Sequence, residues 1–346
     1  MTDVALQQTR AAGSGLFTVA ALQKAVAFVV LIALVVFFSF ANENFAEWSN
    51  LVNIMQATAV NGVLGVAVTF VIVSGGIDLS VGTLMTFTSV MTGVVLTFWH
   101  FPMWAGIIAA LLVGMCCGAT SGLIIAKLKL PPFIATLGMM LILKGGALVV
   151  SGIAPIYFND TPNFSLISPD SSITPLIAKL GALLHSDRLN DVEIPNGVFV
   201  LFGVALIASI ILSKSILGRY VFALGSNEEA ARLSGVNVDF WKVVTYALGG
   251  TICGVAGLLI ASRLNSAQPA LGQGYELDAI AAAVIGGTSL SGGRGTVLGT
   301  IIGAFIMSVL NNGLRIMSVE EQWQIVVTGG IIIVAVYVDN LLRRRT

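Results

Sequence analysis

The sequence predicts an all-α protein that crosses a membrane many times, and two observations support this fold class. Of the 346 residues, 56% are hydrophobic and only 10% are charged, and the mean hydropathy is +0.95. Water-soluble domains carry roughly 25% charged residues, so this chain has too little polar surface to cover a soluble globule. The apolar runs are also continuous over about 20 residues, which is the pattern of membrane-spanning helices.

About ten apolar runs are long enough to be spans. The first, Ala21–Phe40, is predicted to be an uncleaved helix, because no small-residue cleavage site follows it. The runs form one expected transmembrane domain, residues 21–340, between a polar tail (1–20) and a basic tail (341–346). The remaining spans are expected at about 51–73, 80–98, 103–126, 131–150, 197–213, 241–262, 276–291, 296–313 and 323–340.

Basic residues determine the expected orientation of these spans. With the N-terminus in the cytoplasm, most lysines and arginines fall in inner loops and tails. The outer loops receive only Lys179, Arg188, Arg263 and Arg315. Because basic loops stay in the cytoplasm, both termini are expected there. The tryptophans fall at predicted span ends, where indole rings prefer to lie.

Two long loops follow from this orientation. The loop at 152–196 is expected on the outer side of the membrane, and the loop at 219–240 in the cytoplasm. In the middle of the outer loop, the segment from Ile173 to Leu184 is apolar enough to form a helix on the outer membrane face. A partly ordered loop is the alternative.

A ten-residue pattern occurs twice, and it predicts a parallel internal repeat. The segments 73–82 and 284–293 share Val-x-Gly-Gly-x-x-Leu-Ser-x-Gly, and each lies between an inward and an outward span. The two copies would therefore be related by an axis along the membrane normal. A chance likeness between two glycine-rich turns is the alternative.

Paired glycine interruptions also predict a translocation path. Unwound backbone is tolerated at membrane depth only beside protein or water, so matching breaks in two halves mark a path. The residues expected to line or gate it are Gly75, Gly76, Asp78, Ser80, Gly286, Gly287, Thr288, Ser289 and Ser291.

Few ionisable residues fall within the spans. Asp78 either makes a polar contact in the path or caps the helix that starts near Leu79, and the sequence favours the cap. Lys144 either reaches the outer interface or pairs with an acid across helices. Glu276 and Asp278 lie at the edge of the weakest span.

A short charged helix is predicted in the cytoplasmic loop. Ser226 followed by Glu229 is the spacing of a capping box. Glu228 and Glu229 near its start and Arg232 near its end complement the helix dipole. Gly235 is suited to the left-handed residue that ends a helix. A helix of about two turns is therefore expected at 226–234, either as a docking element or as a solvated loop helix.

Other functional classes are disfavoured by composition. The net charge is zero, which argues against binding to nucleic acid. Cys116, Cys117 and Cys253 lie in apolar runs and are interpreted as small buried hydrophobic residues. Only two histidines are present, so a histidine-ligated metal site is not expected. The sequence also contains no Gly-x-x-x-x-Gly-Lys-Ser/Thr nucleotide-binding motif.

Five blocks in the same order carry a resemblance to a known family. The blocks are 74–82, 132–138, 217–220 with 223–235, 266–269 and 274–290. In these blocks the chain resembles the permease subunits of bacterial ATP-binding-cassette (ABC) importers for monosaccharides of the ribose, xylose, arabinose and galactose type. The likeness covers nearly the whole chain, and the ribose permeases look most similar. The 152–196 loop is longer than expected for them, which leaves the sugar open.

The resemblance implies partners that this chain lacks. Two permease subunits, identical or related, would form the pore in the inner membrane. Two cytoplasmic ATPase modules, often fused in tandem, would bind ATP and Mg²⁺, and a periplasmic binding protein would deliver the sugar. The short cytoplasmic helix would then be the coupling helix that docks on the ATPase. Its residues are Ser226, Asn227, Glu228, Glu229, Ala230, Ala231, Arg232, Ser234 and Gly235.

Two other functions are alternatives to monosaccharide import. The same fold family serves branched-chain amino acid importers, so leucine is a competing substrate class. A standalone secondary transporter or channel would need membrane-embedded ionisable groups for coupling, and only Asp78 and Lys144 are candidates.

Overall fold

The computed structural model describes residues 25–158, residue 164 and residues 195–343, with side chains described up to residue 337. The N-terminal tail, most of the 152–196 loop and the last residues of the basic tail lie outside these ranges. The expected helix from Ile173 to Leu184 is therefore also outside the described residues.

The described chain is helical apart from short connections. Its helices are α1 (Ala25–Ala41), α2 (Trp48–Val73), α3 (Val81–Gly93, continued by a π-helical turn to Phe98), α4 (Met103–Lys127), α5 (Pro132–Ser151), α6 (Asn196–Lys214), α7 (Ile216–Ser226), α8 (Glu228–Leu233), α9 (Val238–Leu264), α10 (Tyr275–Ile285), α11 (Val297–Ile316) and α12 (Glu321–Arg343). A 3₁₀ turn (Glu43–Ala46) precedes α2. Two short strands, β1 (Ile156–Tyr157) and β2 (Ser266–Ala267), pair antiparallel with Ile156 opposite Ala267.

Within the described ranges, seven helices are long and apolar enough to cross a membrane: α2, α3 with its π-helical turn, α4, α5, α6, α9 and α11. Apolar helical segments of 10–17 residues are α1, α7 and Glu321–Tyr337, the part of α12 whose side chains are described. This architecture is that of an all-α membrane protein, as the sequence predicts.

The prediction of a spanning helix over 276–291 is wrong, because the helix there ends at Ile285. Helix α10 has 11 residues and ends at Ile285, so it rises about 16 Å, against a hydrocarbon core of about 30 Å. The sequence from Gly286 onward turns instead of continuing the helix, because Gly287 adopts a φ of 89°. Non-helical chain between Asn265 and Gly274 precedes α10.

Helix α2 forms the centre of the protein. Its apolar residues surround the whole helix, and 89% of its most apolar window is buried, as expected for a helix enclosed by others. Helices α6, α9, α10 and α11 pack around it. By contrast, only 28–33% of the corresponding windows of α4, α5 and α6 are buried, so these helices lie at the periphery.

Helices α4 and α9 pack with their backbones in direct contact. A Cβ atom at Gly114 or Gly118 of α4 would collide with carbonyl oxygens of α9, and one at Gly250 would collide with the carbonyl of Gly114. Such close approach is possible only because these positions lack side chains. The other side of α4 is open. Cys116 there is exposed and Cys117 is partly buried, so burial of all three cysteines is a wrong expectation.

The connections between helices group at two ends of the molecule. At one end the amide of Gly293 donates to the carbonyl of Val73 (2.9 Å), and Lys129 contacts Asp239 (3.0 Å). At the other end β1 pairs with β2, and the side-chain amide of Asn42 donates to the carbonyl of Ile316 (3.2 Å). This grouping agrees with the alternation of predicted inner and outer loops, so the two ends are called inner and outer below.

Candidate functional site

Helix α8 is the predicted short helix at the inner end, and Asn227 begins it. The Asn227 backbone is extended, with φ −162° and ψ 103°, and its side-chain oxygen accepts a hydrogen bond from the Ala230 amide (2.9 Å). The predicted capping box from Ser226 to Glu229 is therefore wrong. Ser226 is still the last residue of α7, because the Asn227 amide bonds back to the Ala223 carbonyl. Asparagine is as good a cap as serine, so the sequence alone allowed either start.

Capping by Asn227 has a measurable consequence. Replacing Asn227 with alanine should destabilise α8 by about 1 kcal/mol, because one amide at the helix start loses its acceptor. Hydrogen exchange of the α8 amides should therefore become faster by about fivefold. Ser226→Ala is the matched control, since its hydroxyl caps nothing in α8, and equal acceleration by both variants would contradict the assignment.

The C-terminal end of α8 is a Schellman turn. The amide of Gly235 donates to the carbonyl of Arg232 (3.0 Å), and the amide of Val236 donates to that of Ala231 (3.1 Å). Gly235 has a φ of 85°, which favours glycine. The predicted left-handed stop at Gly235 is confirmed.

Ion pairs fix one side of α8 to the rest of the inner surface. Glu228 contacts Lys242 of α9 (2.7 Å) and Arg232 (3.4 Å). Asp239 contacts Lys129 (3.0 Å), Lys127 (3.6 Å) and Arg232 (3.9 Å). Each exposed ion pair stabilises the folded protein by at most about 1 kcal/mol. Together the pairs connect α8 with α9 and with the α4–α5 connection. Glu228 and Arg232 therefore already take part in ion pairs within this chain, although both side chains remain 44% exposed.

The opposite side of α8 is open to solvent. Glu229, Ala230 and Leu233 are exposed there, and Leu233 has 80% of its surface accessible, whereas Ala231 is buried against the protein. We call these three exposed residues the α8 outer face. The sequence interpretation missed Leu233, although a leucine on a polar helix outside the membrane was the available signal.

Glycines join α8 to both copies of the repeated pattern. Gly225, one residue before the end of α7, lies against Val73. A Cβ atom added to Gly225 would collide with the Val73 carbonyl oxygen. A Cβ at Gly292 would come within 2.9 Å of the Gly225 Cα and 3.0 Å of the Gly75 Cα. We call this contact of Val73, Gly75, Gly225, Gly292 and Gly293 the glycine junction. Three chain segments touch through their backbones at this point.

The repeated pattern ends two helices with the same turn, but its register is shifted. After α2, Gly75 has a φ of 84°, and its amide donates to the Ile72 carbonyl. After α10, Gly287 has a φ of 89°, and its amide donates to the Val284 carbonyl. The sequence alignment pairs Gly75 with Gly286, so the structural match is one residue later in the second copy.

Most of the predicted path residues with side chains are buried between helices. Asp78, Ser80, Thr288 and Ser289 are each at most 3% exposed. Gly75 and Ser291 are exposed, and both lie at the inner end.

The buried Asp78 carboxylate binds the start of α3. One of its oxygens accepts from the Ser80 amide (2.8 Å) and from the Ser80 hydroxyl (2.6 Å). In this arrangement the carboxylate is hydrogen-bonded to Ser80 at the start of α3 and does not face an open cavity.

Two helices begin deep inside the protein and face each other. An added Cβ at Gly82, in the first turn of α3, would come within 2.7 Å of a Glu276 carboxylate oxygen. Glu276, in the first turn of α10, is buried, and both of its carboxylate oxygens accept from the Gly274 amide (3.1 Å each). The Glu276 carboxylate therefore lies at the positive ends of both α3 and α10.

The starts of α3 and α10 meet near the middle of the membrane-spanning region. An added Cβ at Gly257 of α9 would contact the Met85 carbonyl of α3 (2.7 Å), which sets the two residues at one level. Gly257 is about 10 Å below Leu264, the outer end of α9, and Gly82 lies roughly one turn deeper than Met85. Discontinuous helices that start at the midplane are a feature of transport proteins.

Comparison with known proteins gives the family. Residues 50–336 match the model of the family described as the branched-chain amino acid transport system / permease component. The chain belongs to this permease family. The permease is 40% identical to the ribose import permease protein RbsC of Escherichia coli K12, over 95% of this chain and 97% of that protein. No solved structure matches it significantly.

Two further relatives are similar over most of their length. The RbsC of Bacillus subtilis 168 is 39% identical to the permease, with 92% of this chain and 93% of that one covered. The xylose transport system permease protein XylH of Haemophilus influenzae is 34% identical, with 92% and 97% covered. The permease is a transport component and not an enzyme, and its apolar helices make it a multi-pass protein of the inner membrane.

Proposed function

We propose that this chain is a permease subunit of an ABC importer and forms part of the path for a monosaccharide. The observation that carries the proposal is the 40% identity to a ribose import permease over 95% of the chain. Relatives named for xylose and fructose also align over more than nine-tenths of the chain, which supports small sugars as the substrate class. The description of the family names branched-chain amino acids, which are the second candidate substrate class.

Helix α8 is the proposed coupling helix. A separate ATPase, which carries ATP and Mg²⁺, would dock on the α8 outer face. The opposite side is held by the ion pairs to α9 and the α4–α5 connection, so α8 would move together with those helices. ATP-driven closure of the ATPase would thereby open and close the path in alternation. A tandem ATPase chain, a periplasmic binding protein and a second permease copy, identical or related, complete the proposed importer.

The proposed topology has ten crossings and both termini in the cytoplasm. The helix at 25–41 and helix α12 supply the first and last crossings, and α10 with the non-helical chain before it supplies the eighth. The grouping of the loops at two ends supports this order. In this topology the segment 219–240 is cytoplasmic, the loop 152–196 is periplasmic, and the two repeat copies lie in parallel at the inner end.

A gate at the inner end is part of the proposal. Gly75 and Ser291 are exposed there, and the glycine junction links their turns to the start of α8. A displacement of α8 would therefore reach both turns directly. The buried members of the predicted set, such as Asp78 and Thr288, would hold these turns in shape.

Uptake by the reconstituted importer tests the substrate class. Liposomes containing the permease, its ATPase and the binding protein should accumulate labelled ribose or another labelled monosaccharide only when ATP is supplied. Accumulation of labelled leucine without any sugar would contradict the sugar proposal. Sugar uptake by the purified permease alone, without the ATPase, would instead favour a standalone transporter.

A further inference from the structure

Two polar side chains lie open to the surface beside the buried half-helix start. Gln273, which lies between Gly272 and Gly274, is exposed, and Lys144 of α5 is partly exposed. The Lys144 ammonium donates a hydrogen bond to the Gln273 side-chain oxygen (2.9 Å). Neither of the two interpretations of Lys144 from the sequence, an outer-interface position or an acid partner, describes this contact.

This pair lies well inside the apolar thickness. The Thr86 hydroxyl of α3 donates to the Leu271 carbonyl (2.7 Å), which places the 271–274 chain beside the first turns of α3 near the midplane. Lys144 is about 10 Å below Ser151, the outer end of α5. Both measures put the two side chains far from either membrane surface.

Lipid is excluded as the neighbour of this surface. A lysine at the centre of a bilayer costs at least about 2.5 kcal/mol, and irregular backbone does not face hydrocarbon. The Gly272–Gly274 backbone is irregular, and Gln273 between them is exposed. The surface must therefore face either protein or water.

Water fits the surface better than a dry protein contact. Among the described residues, no carboxylate lies within ion-pair distance of Lys144, whose resolved partner is an amide oxygen. Burying an unpaired ammonium against another subunit would cost several kcal/mol. A water-filled path leaves the charge hydrated and avoids this cost.

We propose that Lys144 and Gln273 line the path at mid-depth and form hydrogen bonds with the hydroxyl groups of the passing sugar. This inference rests on the proposed function. The ammonium has two N–H groups beyond the one bound to Gln273, and the Gln273 amide has two N–H donors, which suit hydroxyl oxygens. Two or three such bonds give weak, transient binding, which allows the sugar to leave again.

Thiol labelling of introduced cysteines, in a background that keeps the buried Cys253, tests whether the site is wet. In a background with Cys116 and Cys117 replaced by serine, Gln273→Cys and Lys144→Cys should react with a charged, water-soluble thiol reagent in the assembled importer. Leu206→Cys, exposed on the apolar face of α6, is the matched control and should react at least tenfold more slowly. If the cysteines at 144 and 273 are as unreactive as the control, the surface is a dry subunit contact and the proposal is overturned.

Uptake measurements then test contact with the sugar. Gln273→Leu and Lys144→Met should each lower sugar uptake by about threefold to tenfold, the effect of losing one hydrogen bond. ATP hydrolysis stimulated by the binding protein should persist in both variants. For a deoxy sugar that lacks the contacted hydroxyl, each substitution should lower uptake by a smaller factor than it does for the parent sugar. Unchanged uptake by both variants while the wild type imports sugar would overturn this inference, whereas a wild type that imports no sugar would overturn the proposed function.

Discussion

Gly225→Ala should strongly destabilise the folded protein, because there is no space for the methyl group of the alanine. The Cβ atom would collide with the Val73 carbonyl oxygen and lie within 2.5 Å of the Gly293 amide nitrogen, both of which are backbone atoms. Backbone cannot move aside as a flexible side chain can, and overpacking of this kind costs about 3 kcal/mol. We expect a lower yield of folded protein and a fall of several degrees in the melting temperature in detergent. Any protein that folds should transport poorly, since the glycine junction connects α8 to both glycine turns.

Gly203→Ala is the matched control for this substitution. Gly203 lies within α6, and an added Cβ there would meet nothing within 4 Å. Alanine is the better helix former by about 1 kcal/mol, so this variant should be at least as stable as the wild type. Equal melting temperatures for the Gly225 and Gly203 variants would show that the three backbones of the junction are not in contact.

Leu233→Asp should separate the permease from its ATPase. Leu233 is the one large apolar side chain of the α8 outer face, and its 80% exposure would be removed by docking. Loss of a buried anchor commonly costs 2 kcal/mol or more in an interface, which is about a thirtyfold loss of affinity. We expect weak binding of the ATPase in a pull-down with the purified permease, and sugar uptake near background.

The permease itself should remain folded in that variant. Leu233 is exposed to solvent, so its replacement leaves no cavity. The melting temperature should therefore stay within about 1 °C of the wild type. Leu233→Met is the conservative control, because it keeps an apolar side chain of similar size and should retain most uptake. Normal ATPase binding by Leu233→Asp would place the docking contact elsewhere on the inner surface.

Much of this architecture could be predicted from hydropathy alone. The runs at 103–126 and 131–150 differ from α4 and α5 by at most one residue at each end, because Pro102 directly precedes α4, and Pro131 and Pro132 mark the start of α5. The stop at Gly235 was also predictable, since few residues other than glycine tolerate a φ of 85°. These features depend on local sequence.

The candidate site was only partly predictable, because its key contacts join distant segments. The 276–291 run contains Gly286 and Gly287, but the close approach of Gly286 to the Gly299 backbone of α11, at the point where the helix ends, is not visible in local sequence. The burial of Glu276 follows from its approach to Gly82, almost 200 residues away in the chain. The choice of Asn227 over Ser226 as the cap depends on how far α7 extends, and local sequence does not determine that.

The direct backbone contact between α4 and α9 has a consequence for how the protein is made. Helix α4 ends at Lys127 and α9 starts at Val238, so a ribosome adds about 110 residues between them, which takes roughly 5 to 20 s. During that time the glycine face of α4, with Gly114 and Gly118, lies in the membrane without its partner. Insertion machinery or lipid must occupy this narrow groove until α9 enters. A nascent chain stalled in that interval would present the groove to whatever in the membrane recognises unfinished proteins.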